Sequence, residues 1–146
     1  MSTTPTLNGQ VIGQAHLATR ALLDPVLDRS GTTFPQSAVL NALAAGDDDR
    51  ARLVVRLAGN LKTTDAAVAD VVAGLEASGL LEAAPGDGSR LRLTDAGRAR
   101  NQHIRDAVAV LTERLYGDIP AEDLATAGRV LTLVTTRANA ELAALR

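Results

Sequence analysis

Residues 53–99 read LVVRLAGNLKTTDAAVADVVAGLEASGLLEAAPGDGSRLRLTDAGRA. Leu53, Val54, Leu57 and Ala58 recur at helical spacing, and Gly59-Asn60 is expected to close that helix in a turn. A second helix follows, with Thr63 or Thr64 as N-cap and Asp65 in the first turn, where a negative charge complements the helix dipole. Val68, Val71, Val72 and Leu75 form its apolar stripe. Gly79 stands where a left-handed C-cap belongs, with apolar Leu80 after it. Residues 81–84 and 90–93 are strand candidates around a loop, Pro85-Gly86-Asp87-Gly88-Ser89. In the second strand Leu91 and Leu93 alternate with Arg90 and Arg92, so one face is apolar and the other basic. The order is therefore helix, tight turn, helix, short hairpin, helix start.

Upstream of this block, residues 1–6 make a polar tail that is expected to fray. Residues 7–27 then carry Val11, Ala15, Ala18, Leu22 and Val26 at helical spacing; Pro25 is expected to bend or end that helix, and Ser30-Gly31 stops it. A helix over 34–45 has Pro35 in its first turn and Val39, Leu40 and Leu43 on one face. Asp47-Asp48-Asp49 reads as a solvated connection that also caps the next helix. Downstream, Thr94 caps a long fifth helix running to Tyr116, with Ile104, Val108, Leu111 and Leu115 on one face. Pro120 opens a sixth helix that carries Leu124, Leu131 and Leu142 to the end.

With 146 residues, 46% of them hydrophobic and 22% charged, the chain suits a single folded domain with a real core. It contains no apolar run long enough to span a membrane and no basic flank before an apolar stretch at the N-terminus, so a cytoplasmic protein is expected. With no cysteine, thiol sensing and thiolate metal sites are excluded. No His/Asp/Glu cluster has metal-ligand spacing, no nucleophile stands beside a base, and no glycine loop is built for phosphate. The expectation is a non-enzyme without a cofactor or metal.

Charge is distributed more tellingly than its sum of −2 implies. Residues 50–62 hold Arg50, Arg52, Arg56 and Lys62 and no acid, a local +4. Residues 63–82 hold Asp65, Asp70, Glu76 and Glu82 and no base, a local −4. Residues 88–105 hold Arg90, Arg92, Arg98, Arg100 and Arg105 against Asp95. The aromatic residues are Phe34 and Tyr116 alone, so the stacking platforms of single-strand and RNA binders are missing and duplex DNA is the expected nucleic acid.

A helix-turn-helix presents its second helix to the major groove, and a following hairpin is its wing. Leu57-Ala58, Val68, Leu75-Glu76 and Gly79-Leu80, followed by a basic hairpin and Leu93-Thr94-Asp95-Ala96-Gly97-Arg98, resemble the MarR family of winged helix-turn-helix transcriptional regulators. The match runs without a gap over 57–81 and resumes at the LTxxGR motif. The fold expected is mainly α, with residues 1–146 as one domain. Residues 34–94 form the winged lobe of three helices and a hairpin, and 7–30 and 95–146 are dimerisation helices. The resemblance implies a homodimer that binds a palindromic operator with half-sites ~10 bp apart, and a small-molecule effector that releases the DNA. It departs from the family pattern at Asp65, Ala66, Ala67 and Asp70, where polar or basic residues are usual, and in a short wing that reads Asp87-Gly-Ser-Arg90.

Candidate DNA contacts are Lys62, Thr63, Thr64, Ala66, Ala67, Asp70, Ser89, Arg90, Arg92, Arg52 and Arg56. Thr63, Thr64 and the helix amides suit phosphates, Ala suits a thymine methyl, and Asp70 can accept from cytosine N4. Arg90 and Arg92 are the strongest electrostatic anchors; their plain alternative is surface pairing with Asp87 or Asp95. His16 and His103 are candidate effector contacts or, more plainly, half-buried polar residues. Val11, Leu111, Leu115, Leu124, Leu131 and Leu142 are candidate dimer contacts, with packing inside one chain as the alternative. The acid-bearing fourth helix also admits a second reading, a winged-helix module that works through protein contacts and reads DNA weakly or not at all.

Overall fold

The structure is a computed structural model, and it describes residues 4–146. Residues 1–3 of the expected polar tail lie outside the described residues. The elements run α1 Gly9–Arg29, α2 Phe34–Ala44, β1 Asp48–Asp49, α3 Arg50–Leu61, α4 Asp65–Ala77, β2 Leu81–Ala84, β3 Asp87–Leu93, α5 Asp95–Tyr116 and α6 Ala121–Ala144. The chain divides into two compact units, one ending at Val110 and the other spanning Leu111–Arg146. Among the described residues no helix is long and apolar enough to cross a membrane.

In the first unit the core is the predicted stripes brought together. Val39, Leu40 and Leu43 from α2, Leu53, Val54, Leu57 and Ala58 from α3, and Val68, Val72 and Leu75 from α4 pack with Leu80, Leu81, Leu91 and Leu93 of the hairpin. Val71 sits at the edge of this cluster, half-buried. Each fully buried leucine contributes roughly 2 kcal/mol of transfer free energy, so the alternation in β3 and the helical spacing in α2–α4 fix one mutual arrangement.

Helix ends follow the side chains that can satisfy orphan amides. Asn8 caps α1, accepting from the Val11 amide at 3.0 Å. Thr33 and Gln36 form a reciprocal capping box on α2. Asp49 caps α3 through the Arg52 amide, and Thr64, not Thr63, caps α4 through the Ala67 amide.

Four local expectations are corrected. Helix α1 does not end at Pro25 but runs on to Arg29. Helix α3 passes through Gly59-Asn60 to Leu61, and the chain reverses at Lys62 (φ 57°, ψ 46°), a left-handed residue that is not glycine. The Asp47–Asp49 connection is not simply solvated: Asp48 and Asp49 form a short strand paired with Leu91 and Arg90 of β3. The hairpin loop shrinks to Pro85-Gly86, with Gly86 at φ 77° and β3 beginning at Asp87. The three strands form an antiparallel sheet in the order β1-β3-β2. Register runs Leu81 to Leu93, Glu82 to Arg92 and Ala83 to Leu91, then jumps to Ala84 and Asp87. Gly88, Ser89 and Arg90 are thereby bulged out relative to β2, which aims Arg90 away from that ladder.

The LTxxGR motif has a packing explanation. Leu93 is buried; the Thr94 hydroxyl donates to the Gly79 carbonyl at 2.7 Å and accepts from the Gly97 amide at 3.0 Å, which caps α5. The Thr94 amide donates to the Leu80 carbonyl, and a Cβ on Gly97 would run into that same carbonyl oxygen. Arg98 donates to the Leu93 carbonyl at 3.2 Å. The far end of α4 is closed by Gly79 (φ 77°), whose amide and that of Leu80 donate to the Glu76 and Leu75 carbonyls. One glycine turn and one glycine contact thus fix α4, the hairpin and the start of α5 to each other.

In the second unit, α6 has no buried residue; Leu131, Leu133, Val134 and Leu142 are each about two-fifths exposed and Leu145 is 83% exposed.

Candidate nucleic-acid interface

Helices α3 and α4 pack together across the turn at Lys62, Thr63 and Thr64. All three turn residues are exposed, as are Ala66, Ala67 and Asp70 on α4. The Lys62 Nζ donates to the Gly59 carbonyl at 2.9 Å, so its ammonium lies over the end of α3. The outward face of α4 is Asp65, Ala66, Ala69, Asp70 and Ala73, a surface of small residues and two carboxylates with no cation.

The cations stand around this helix, and most of them are engaged. Arg50 makes a two-pronged pair with Glu76 (2.5 and 2.9 Å), tying the start of α3 to the last turn of α4. This contact holds the Glu76 carboxyl below its ordinary value and raises the Arg50 guanidinium. Arg56 reaches Asp48 at 3.2 Å, and Arg92 reaches its cross-strand neighbour Glu82 at 2.8 Å. Arg90 pairs with neither Asp87 nor Asp95. Its guanidinium donates to the Asp47 carbonyl at 2.9 Å, bridging the wing to the link before β1. Asp87 instead accepts from the Ser89 hydroxyl (2.6 Å) and amide (3.0 Å), which lower its pKa and shape the wing tip. Ser89 is therefore turned to Asp87, while the exposed Arg52 side chain has no partner among the described residues.

A cavity of about 520 Å³ lies beside the same turn, lined by His16 and Arg20 of α1, Phe34 of α2, Thr63, and Ala67 and Val71 of α4. The Arg20 guanidinium sits 4.0 Å from the Phe34 ring centroid and 3.1 Å from Asp24. His103 is exposed on α5 and is not among the residues lining this cavity. Arg20 and Phe34 were not singled out from sequence. The available signal was spacing, since Arg20 lies one helical turn after His16. The carboxylate partners Glu76 and Glu82 and the Asp47 carbonyl had no local signal, because each meets its arginine through the tertiary fold. Among the described residues no group of three His, Cys, Asp or Glu is placed to hold a metal ion. Of the candidate dimer residues, Leu115, Leu131 and Leu142 are exposed and Val11, Leu111 and Leu124 are half-buried.

No protein-family model and no curated relative matches the sequence. Solved structures do. The PcaV transcriptional regulator from Streptomyces coelicolor, in complex with its natural ligand, is 28% identical, with a TM-score of 0.71 over 94% of this chain and 99% of that one. A Mycobacterium tuberculosis MarR family protein in complex with DNA is 21% identical, with a TM-score of 0.67 over 89% and 98%. A mutant of MarR from E. coli is 22% identical, with a TM-score of 0.66 over 91% and 99%. The six helices among the described residues and the hairpin wing agree with this likeness. The chain shares the winged helix-turn-helix fold of these MarR-type regulators.

Proposed function

We propose that the protein is a dimeric transcriptional repressor that binds a palindromic duplex operator and leaves it when a small aromatic or anionic effector binds. The observation that carries this reading is the exposed α3–turn–α4 device, with capping Thr64, next to a wing bearing Arg90 and Arg92. Thr63, Thr64 and the first amides of α4 supply phosphate contacts, with Arg52, Arg56 and Lys62 along the backbone. Ala66, Ala67 and Asp70 face the base edges, and Arg90 enters the minor groove beside Ser89. The cavity holding His16, Arg20 and Phe34 suits the effector: it offers a guanidinium, an imidazole and a ring against apolar α4 residues. It adjoins Thr63 and Ala67, so an occupant acts on the same turn that meets DNA. His103, exposed on α5, does not line that cavity. The exposed apolar residues Leu17 and Leu22 on α1, and separately Leu131 and Leu142 on α6, support a second copy as their cover, and Val11, Leu111, Leu115 and Leu124 are the further dimer contacts of this reading. The neighbours bound to a natural ligand and to DNA lend this reading family precedent.

A gel shift against the DNA flanking its own gene tests it. Binding clearly tighter than to random duplex at moderate salt is expected, and equal affinity for both would sink the repressor reading. Arg90→Ala is expected to weaken binding across all sequences and to reduce the salt slope by about 0.9. An unchanged slope would remove the wing as anchor. The acidic α4 face and the pairing of Arg50, Arg56 and Arg92 with carboxylates favour a second reading, a winged-helix interaction module with weak DNA binding. Equal binding to the two duplexes is its expected result.

A further inference from the structure

A second cavity, of about 340 Å³, lies in the first unit on ground that the proposed function leaves unused. It is walled by Leu43 at the end of α2, Asp47 in the link to β1, Leu93 at the end of β3, and Arg98, Asn101 and Arg105 on α5. Spacing on α5 explains the cluster: Arg98, Asn101 and Arg105 fall at intervals of three and four and so share one helix face.

Asn101 is the informative member. It is only 6% exposed, yet its side-chain amide has no hydrogen-bond partner among the described residues. Among the described residues no side-chain nitrogen or oxygen is sealed off without a partner, so the Asn101 amide keeps access to open space, and the cavity it lines is this one. Its neighbours are cationic. Arg105 has no side-chain partner among the described residues, and Arg98 is engaged only by the Leu93 carbonyl. Asp47 offsets one of these two charges and leaves the site net positive. Leu43 and Leu93 give it an apolar wall.

We infer that this cavity is a binding site for a small organic carboxylate with a compact aliphatic body. The carboxylate meets Arg105 and the Asn101 amide, and the body lies against Leu43 and Leu93. The volume stands at the low end for ligand sites, which selects a small molecule. Guanidinium and amide donors lining one half-open pocket select an anion over its neutral isostere. Asp47 also holds Arg90 through its carbonyl, so the cavity shares a wall residue with the anchor of the wing.

The test uses the full chain, labelled with nitrogen-15, titrated with isovalerate and separately with the neutral isovaleramide. Isovalerate is expected to shift the side-chain amides of Asn101 and Gln102 and to saturate, with isovaleramide binding at least about tenfold more weakly. Arg105→Gln removes an exposed, unpaired cation and leaves the core intact; it is expected to weaken isovalerate at least about tenfold. Asn101→Asp, which keeps the shape and adds a negative charge, is expected to abolish the shifts. The proposal is overturned by equal binding of acid and amide, by unchanged affinity in Arg105→Gln, by shifts confined to the surroundings of His16, Arg20 and Phe34, or by no shift at Asn101. The readout involves no DNA, so failure of the operator experiment leaves this outcome intact.

Discussion

The two ends of α4 are built differently. At its start, the turn of Lys62, Thr63 and Thr64 is exposed and is held by local hydrogen bonds: the Thr64 cap, the Thr63 amide on the Ala58 carbonyl, and the Lys62 ammonium on Gly59. At its end, Gly79 and Leu80 are gripped from outside the helix by Thr94 and by the bare backbone of Gly97. One joint is a matter of capping chemistry and the other of tertiary packing. The end that reaches toward solvent can therefore change its side chains cheaply, while the end that fixes its angle cannot.

The largest expected effect lies at the packed joint. Gly97→Ala places a methyl group against the Leu80 carbonyl oxygen, a backbone atom that cannot rotate away. A loss of roughly 3 kcal/mol in urea unfolding is expected, and a loss under about 0.5 kcal/mol would show that the joint yields. At the open joint, Thr64→Ala removes one cap and is expected to cost about 1 kcal/mol without altering the unfolding slope. A cost equal to that of Gly97→Ala would erase the contrast.

The smallest effect concerns the pair that ties the end of α4 to the start of α3. Glu76→Gln is expected to cost under about 1 kcal/mol at neutral pH, since both partners are partly solvated. Because Arg50 lowers the Glu76 pKa, the pair's contribution is complete above the usual carboxylate range and is lost as pH falls through that range to the lowered value. Denaturation curves of the parent and Glu76→Gln should converge in acid, and a difference that persists there would assign the effect to packing instead.

The same contrast governs what could be read from the sequence. Helices α2 and α4, the Gly79 turn, the Thr94 cap and the alternation of β3 were legible because each is encoded within a few residues. The resemblance carried by residues 57–81 and 93–98 brought the rest of the architecture with it. The strand of Asp48 and Asp49 was not legible, since nothing in two acidic residues favours a strand until β3 lies beside them. The Gly59-Asn60 stop signal placed the end of α3 within one residue of Leu61, but not the left-handed turn at Lys62, which a lysine does not announce. The partners of Arg50, Arg90 and Arg92 lie 26, 43 and 10 residues away and depend on the finished fold. The candidate site is thus half legible: the exposed residues could be named, but not the contacts that engage them.

The pairing of Arg50, Arg56 and Arg92 with Glu76, Asp48 and Glu82 has a consequence for discrimination. A polyanion that arrives here meets guanidiniums whose oxygen acceptors are already in place, and it must exchange one set for another. That exchange lowers the return on phosphate contacts for every duplex alike. Hydrogen bonds and methyl contacts to base edges face no such internal rival. If the protein binds DNA as proposed, the carboxylates would act as a built-in competitor, carried by the protein itself, that suppresses binding to bulk duplex more than binding to an operator.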